Sequence, residues 1–166
     1  MDTSTTKPFK RHIGCLILLL SIGIHAVGGQ TVWRNRITAD VVVADAKYYL
    51  GVPYRMGGKG PDAFDCAGFT KFIFSHIGVT LSNSAAPQSS EGKKVKRDDL
   101  RKGDLVFFGD KHNPHRIGHV GIVTEVRKNK FFFIHAANSG ITISESDDPY
   151  YARLYLGACR PVSFED

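Results

Sequence analysis

The chain has 166 residues, 42% hydrophobic and 23% charged, which suits one domain with a real core and excludes a disordered or fibrous protein. Its formal charge of +6 is scattered, with no basic stripe of interleaved aromatics. That balance excludes nucleic acid as the expected partner and mildly favours an anionic surface such as a cell wall.

First in chain order is a segment that reads as an export signal. Lys7, Lys10 and Arg11 precede an apolar run over residues 13–24, and small residues suited to cleavage follow in "HAVGG". The run is too short to span a bilayer comfortably. Cleavage is expected near Ala26 to Gly29, so that 1–29 is a signal peptide and 30–166 an exported, periplasmic or secreted domain. A retained anchor is the other reading of the run. Cleavage removes Lys7, Lys10, Arg11 and Asp2 and lowers the net charge by two, to +4. The remaining cysteines, Cys66 and Cys159, are an even pair that an oxidising compartment could join.

Residues 37–51 predict a helix capped by Thr38 and stopped by Gly51. Residues 52–64 form a Gly/Pro loop. Residues 66–78 predict a second helix, with Asp65 at its N-cap, Gly78 past its end, and Ala67, Ile73, Phe74 and Ile77 toward the core. Residues 81–103 read as polar and irregular, with one short helix near 87–91. Five β-branched and aromatic runs then predict strands over 104–109, 119–126, 130–137, 140–146 and 155–162, and residues 148–154 a helical turn. Helices followed by strands give an α+β fold, with helices on an antiparallel sheet of about five to six strands.

"FDCAGF" (64–69) places Cys66 at a helix start, where unpaired N–H groups and the helix dipole favour a thiolate. A thiolate nucleophile needs a base, normally histidine. His76 lies a helix-length away, and His112 and His115 sit in a polar loop as solvated side chains. His119 in "GHVGIV" and His135 in "FFIHAA" instead lie in neighbouring apolar strands. A strand histidine is commonly a hydrogen-bonded core residue, but two of them downstream of a helix-start cysteine point to a site. The spacing of His112, His115 and His119 also fits a metal reading, which Pro114 and Gly118 disfavour by breaking a single helical face.

The turn between the histidine strands decides whether both imidazoles share a sheet face, because side chains alternate. A four-residue turn, 127–130, would pair Val126 with Phe131 and separate them. A three-residue turn, Arg127–Asn129, pairs Val126 with Lys130, sets His135 opposite Gly121 and puts both rings on one face toward Cys66. Asn129, which tolerates a left-handed backbone, favours the three-residue turn, barring a bulge.

"GVPYRMGG", "FDCAGF", "LRKGDLVFF", "GHVGIV" and "FIHAA" together resemble the NlpC/P60 family of cell-wall cysteine peptidases, and with flanking elements the resemblance covers nearly all of the exported chain. It implies a papain-like fold and a peptidoglycan or muropeptide substrate, cut at the bond joining D-γ-glutamyl to the diamino acid, with no cofactor and no metal. By position, Cys66 would be the nucleophile, His119 the base and His135 its orienting partner, with Cys66 a free thiol. Tyr54 and the Cys66 N–H would bind the oxyanion, and Asp65 the free amine of a substrate peptide. Ala67 departs from the serine common after the cysteine, which removes a polar contact but no member of the triad. A monomer with no membrane anchor after cleavage is expected. A non-catalytic wall-binding protein, another wall-directed amidase and a toxin on the same fold are the alternatives.

Overall fold

The computed structural model describes residues 38–164, within the unit of the chain that runs from Arg36 to Asp166. The expected signal peptide and the domain's start at residue 30 lie outside the described residues.

Helix α1 (Ala39–Tyr48) and helix α2 (Cys66–Ser75) come first, joined by the Gly/Pro loop. Both end sooner than their expected stops, Gly51 and Gly78, which carry φ of 80° and 77° in the turns that follow. The short α3 (Ala85–Gln88) precedes strand β1 (Lys93–Val95) and a 3-10 turn over Arg97–Asp99. Strands β2 (Leu105–Gly109), β3 (Ile117–Arg127), β4 (Lys130–Ala137) and β5 (Gly140–Glu145) follow, then α4 (Pro149–Leu154) and β6 (Tyr155–Arg160). They form one antiparallel sheet in the order β1-β6-β2-β3-β4-β5. The fold is α+β with six strands. Sequence patterning places five of these and misses β1, whose Lys93 and Lys94 are exposed.

Alternation divides the sheet's side chains between two cores. Leu105, Phe107, Val120, Ile122, Ile134 and Ala136 pack against α1 and α2 through Val42, Phe69, Ile73 and Phe74. Val106, Phe108, Val123, Phe131 and Phe133 take the other face, beneath Leu154 of α4. Removing each such large apolar side chain from water contributes about 1.5–3 kcal/mol, so each strand's register is held by the faces it must bury.

The β3–β4 hairpin reaches its register by an unforeseen route. Arg127 pairs with Lys130 and Val126 with Phe131, so the turn is the two residues Lys128–Asn129, not three. No non-glycine among the described residues has a positive φ, so Asn129 is not left-handed. Alone, this register would put the two histidines on opposite faces. A bulge at Thr124 corrects it: Glu125 pairs with Phe132, but Val123 with Phe133 and Ile122 with Ile134. One step on, Gly121 faces His135, and a Cβ there would stand 3.1 Å from His135 Cβ and 2.7 Å from the Phe133 ring. Both histidines therefore share one face, as expected, although the expected turn does not form; that face is the one α4 covers, and α2, which Cys66 begins, packs on the other.

Candidate active site

Helix α2 starts at Cys66 because Asp65 ends the preceding extended segment and caps it, its Oδ1 accepting the Gly68 N–H at 2.5 Å. Gly68 allows the loop to close over this first turn: a Cβ there would lie 2.1 Å from the Gly58 oxygen. Phe64 anchors the loop in the core and bridges to Tyr54 and Lys59. Tyr54 is thereby held near the thiol, and its phenol is raised above the ordinary value by burial and then by the charges of Cys66 and Asp65.

The β3–β4 ladder ends at Ile122–Ile134, while β3 runs on to Ile117 and β4 to Ala137. Beside the unladdered part of β3 sits the thiol of Cys66. Its Sγ is 4.0 Å from Gly118 O, and the Val120 N–H also points at it. The nucleophile candidate therefore lies against the backbone on both sides of His119. Both imidazoles lie on the sheet face that α4 covers: His119 tilts against Phe108, and His135 packs between Phe133 and Tyr151. His119 Nε2 and His135 Nδ1 share a hydrogen bond of 2.9 Å, which leaves His119 Nδ1 outside that bond.

Electrostatics amend the expectation of a ready thiolate. The N–H groups of Val120, Ala67 and Cys66 lower the thiol's pKa, but burial and the Asp65 charge outweigh them and hold it above its ordinary value. Burial pulls His119 down to about 4, and burial with the neighbouring His119 takes His135 to about 3. The resting groups are a neutral thiol and two neutral imidazoles.

This carries a pH signature. Imidazoles with folded pKa values below the unfolded 6.5 add stability that is full above about pH 6.5 and is lost as pH falls toward 4. Each contributes a slope of about 1.4 kcal/mol per pH unit in that window. Urea unfolding between pH 7 and 5 should show the slope, and His135→Gln should reduce it; an unchanged slope in that variant would contradict the buried neutral pair.

The other candidates fall as follows. Cys66 and Cys159 are both free thiols; Cys159 is buried, its Sγ 3.4 Å from Gln88 O and its pKa driven to about 12 chiefly by burial. His76 pairs with Asp45 at 2.8 Å, tying α2 to α1. His112 and His115 are exposed loop residues. Asp65 carries an unforeseen partner, since Lys59 Nζ lies 3.2 Å from its Oδ2 and also bonds Asn83 O.

The helix-start cysteine, the β3 histidine and the hydrogen-bonded β4 histidine all lie within residues 51–160, which match the family model described as NlpC/P60 family. The chain belongs to the NlpC/P60 family. It is similar to a probable endopeptidase NlpC homolog of Haemophilus influenzae, 40% identical over 68% of this chain and 57% of that one. It is also similar to a gamma-D-glutamyl-L-lysine dipeptidyl-peptidase of Bacillus cereus, 32% identical over 74% of this chain and 36% of that one. The chain thus spans only part of the length of these curated relatives. Among solved structures, the NlpC/p60 domain of the peptidoglycan hydrolase SagA is 30% identical with a TM-score of 0.60, and the match covers 74% of this chain and 98% of that domain.

Within this NlpC/P60 domain, sequence reading missed two polar neighbours of His135. Ser144 Oγ lies 2.9 Å from its Nε2 and the Tyr151 hydroxyl 3.4 Å. Ser144 was within reach of a strand-pairing argument, because Thr142 pairs with His135 and Ser144 is its same-face neighbour two residues on. Tyr151 comes from α4, a connection that strand patterning leaves open.

Proposed function

We propose that this protein is an exported cysteine peptidase that hydrolyses peptidoglycan stem peptides at the bond between D-γ-glutamyl and the diamino acid. The observation that carries the reading is the Cys66 thiol lying against the backbone on both sides of His119, whose ring is bonded through Nε2 to His135. The names of the relatives support the substrate class and the bond.

With thiol and imidazole both neutral at rest, the proton moves during attack. His119 Nδ1 takes the Cys66 proton as sulfur bonds to the scissile carbonyl carbon, and the carbonyl π pair moves to oxygen. The Cys66 N–H and the Tyr54 hydroxyl hold that oxyanion. Its collapse breaks the C–N bond, and His119 passes the proton to the leaving amine. The thioester is then attacked by water, which gives a proton to His119; the C–S bond breaks and the proton returns to sulfur. His135 accepts from His119 Nε2–H and stabilises the charged ring between the proton transfers. Asp65 receives the free amine of a stem peptide where the Lys59 ammonium now lies. No step uses a metal or cofactor.

Digestion of purified muropeptides, read by mass spectrometry, tests this. Wild type should release fragments ending in D-γ-glutamate, and Cys66→Ala none while keeping its fold. Equal products at equal rate from Cys66→Ala would remove the mechanism; cleavage at another bond would remove the assigned specificity.

A further inference from the structure

His135 is wholly buried, and the His119–His135 contact is a hydrogen bond between two neutral rings. Such a bond has two polarities. In one, His119 Nε2–H donates to His135 Nδ1, so His135 carries its proton on Nε2. In the other, His135 Nδ1–H donates to His119 Nε2, the His119 proton sits on Nδ1, and no nitrogen remains to accept from the thiol. The first polarity also persists once His119 is charged, since Nε2–H still meets an acceptor. The second would set two N–H groups against each other.

The first polarity puts an N–H on Nε2 of a fully buried ring, and a buried donor without an acceptor costs about 1–3 kcal/mol. Its acceptors in reach among the described residues are Ser144 Oγ at 2.9 Å and the Tyr151 hydroxyl at 3.4 Å. Ser144 also hydrogen-bonds Tyr151. A hydroxyl that donates to Tyr151 keeps lone pairs for His135.

We infer that Ser144, backed by Tyr151, is a positioning residue: by accepting from His135 Nε2–H it fixes both histidines as Nε2–H tautomers and leaves His119 Nδ1 able to act as base. This rests on the reading of Cys66 as nucleophile and His119 as base.

The test uses the full chain labelled with isotope-enriched histidine. Proton–nitrogen correlation spectra at neutral pH report which ring nitrogen carries the proton, with no substrate present. In wild type both His119 and His135 should be protonated on Nε2. In Ser144→Ala with Tyr151→Phe the His135 proton should redistribute to Nδ1. The double variant should lose kcat by on the order of 10- to 100-fold, as part of a base's worth, with KM within about twofold. Ser144→Thr, which keeps the hydroxyl, should restore both readings. An Nδ1 proton on wild-type His135, or unchanged tautomers in the double variant, would overturn the inference. Should the double variant not fold, the wild-type spectrum and Ser144→Ala alone decide between these outcomes. Hydrolysis that survives Cys66→Ala would instead refute the enzymatic reading and leave the tautomer result standing.

Discussion

Exchanging His119 for glutamine should lower kcat by on the order of a hundred- to ten-thousand-fold, the usual worth of a general base. Glutamine can still donate toward His135 Nδ1 and fill the space beside Phe108, so the fold should persist. What it cannot do is take the thiol proton. The same variant separates two descriptions of the resting site. If thiol and imidazole are both neutral, as partial burial of both groups and the Asp65 charge on the thiol favour, Cys66 should alkylate with a midpoint above that of an ordinary thiol, in wild type and variant alike. Steady-state hydrolysis and the pH profile of alkylation measure the two effects. A wild-type midpoint below the ordinary value that vanishes in His119→Gln would mean a resting thiolate–imidazolium pair instead.

Replacing Asp104 by alanine should destabilise the protein by about 3–5 kcal/mol, the range for removing one member of a buried ion pair. Asp104 is wholly buried, and its carboxylate meets the Arg160 guanidinium through Nε at 2.7 Å and Nη2 at 2.9 Å. It also accepts the Arg101 N–H at 2.8 Å. The variant removes the carboxylate from a half-buried guanidinium, which keeps Asp99 O at 3.1 Å, and from a backbone donor. Asp104 leads into β2 and Arg160 ends β6, so the pair pins adjoining strands, and the Asp104 carbonyl accepts the Val123 N–H beside the β3 bulge. Urea unfolding gives the loss directly; less than about 1 kcal/mol would place the pair with surface contacts.

Much of the site was legible in the sequence because its residues are forced by local chemistry. Asp65 reads as a cap, and it caps. His119 and His135 read as apolar-strand histidines, and alternation puts them on one face and in contact. Strand β4 falls on the predicted 130–137 because its aromatic run is bounded by polar turns. Strand β1 was hidden since its ladder is supplied by β6, and two exposed lysines give no apolar signal. The forces that oppose a thiolate were not legible, because helix-start N–H groups are visible in a sequence, whereas burial and the reach of Asp65 are not. Lys59 and Ser144 were missed for a related reason: each meets its partner only after loop and strand have docked.

The bulge at Thr124 also bears on how this hairpin can change length. A two-residue turn with one extra strand residue gives the site the same register as a three-residue turn with none. For a given turn, what must be kept is therefore the parity of the extra residues within the paired strands between His119 and His135. A deletion at Thr124 paired with an insertion next to Lys128–Asn129 would leave both imidazoles on one face. Loss of Thr124 by itself, with the turn-side ladder kept, would reverse one histidine across the sheet, whereas a residue added to the turn by itself, with that ladder kept, only lengthens the loop. Among relatives, length changes within the turn should therefore occur freely, while a lone single-residue gap at the bulge would mark a member whose two strand histidines no longer meet.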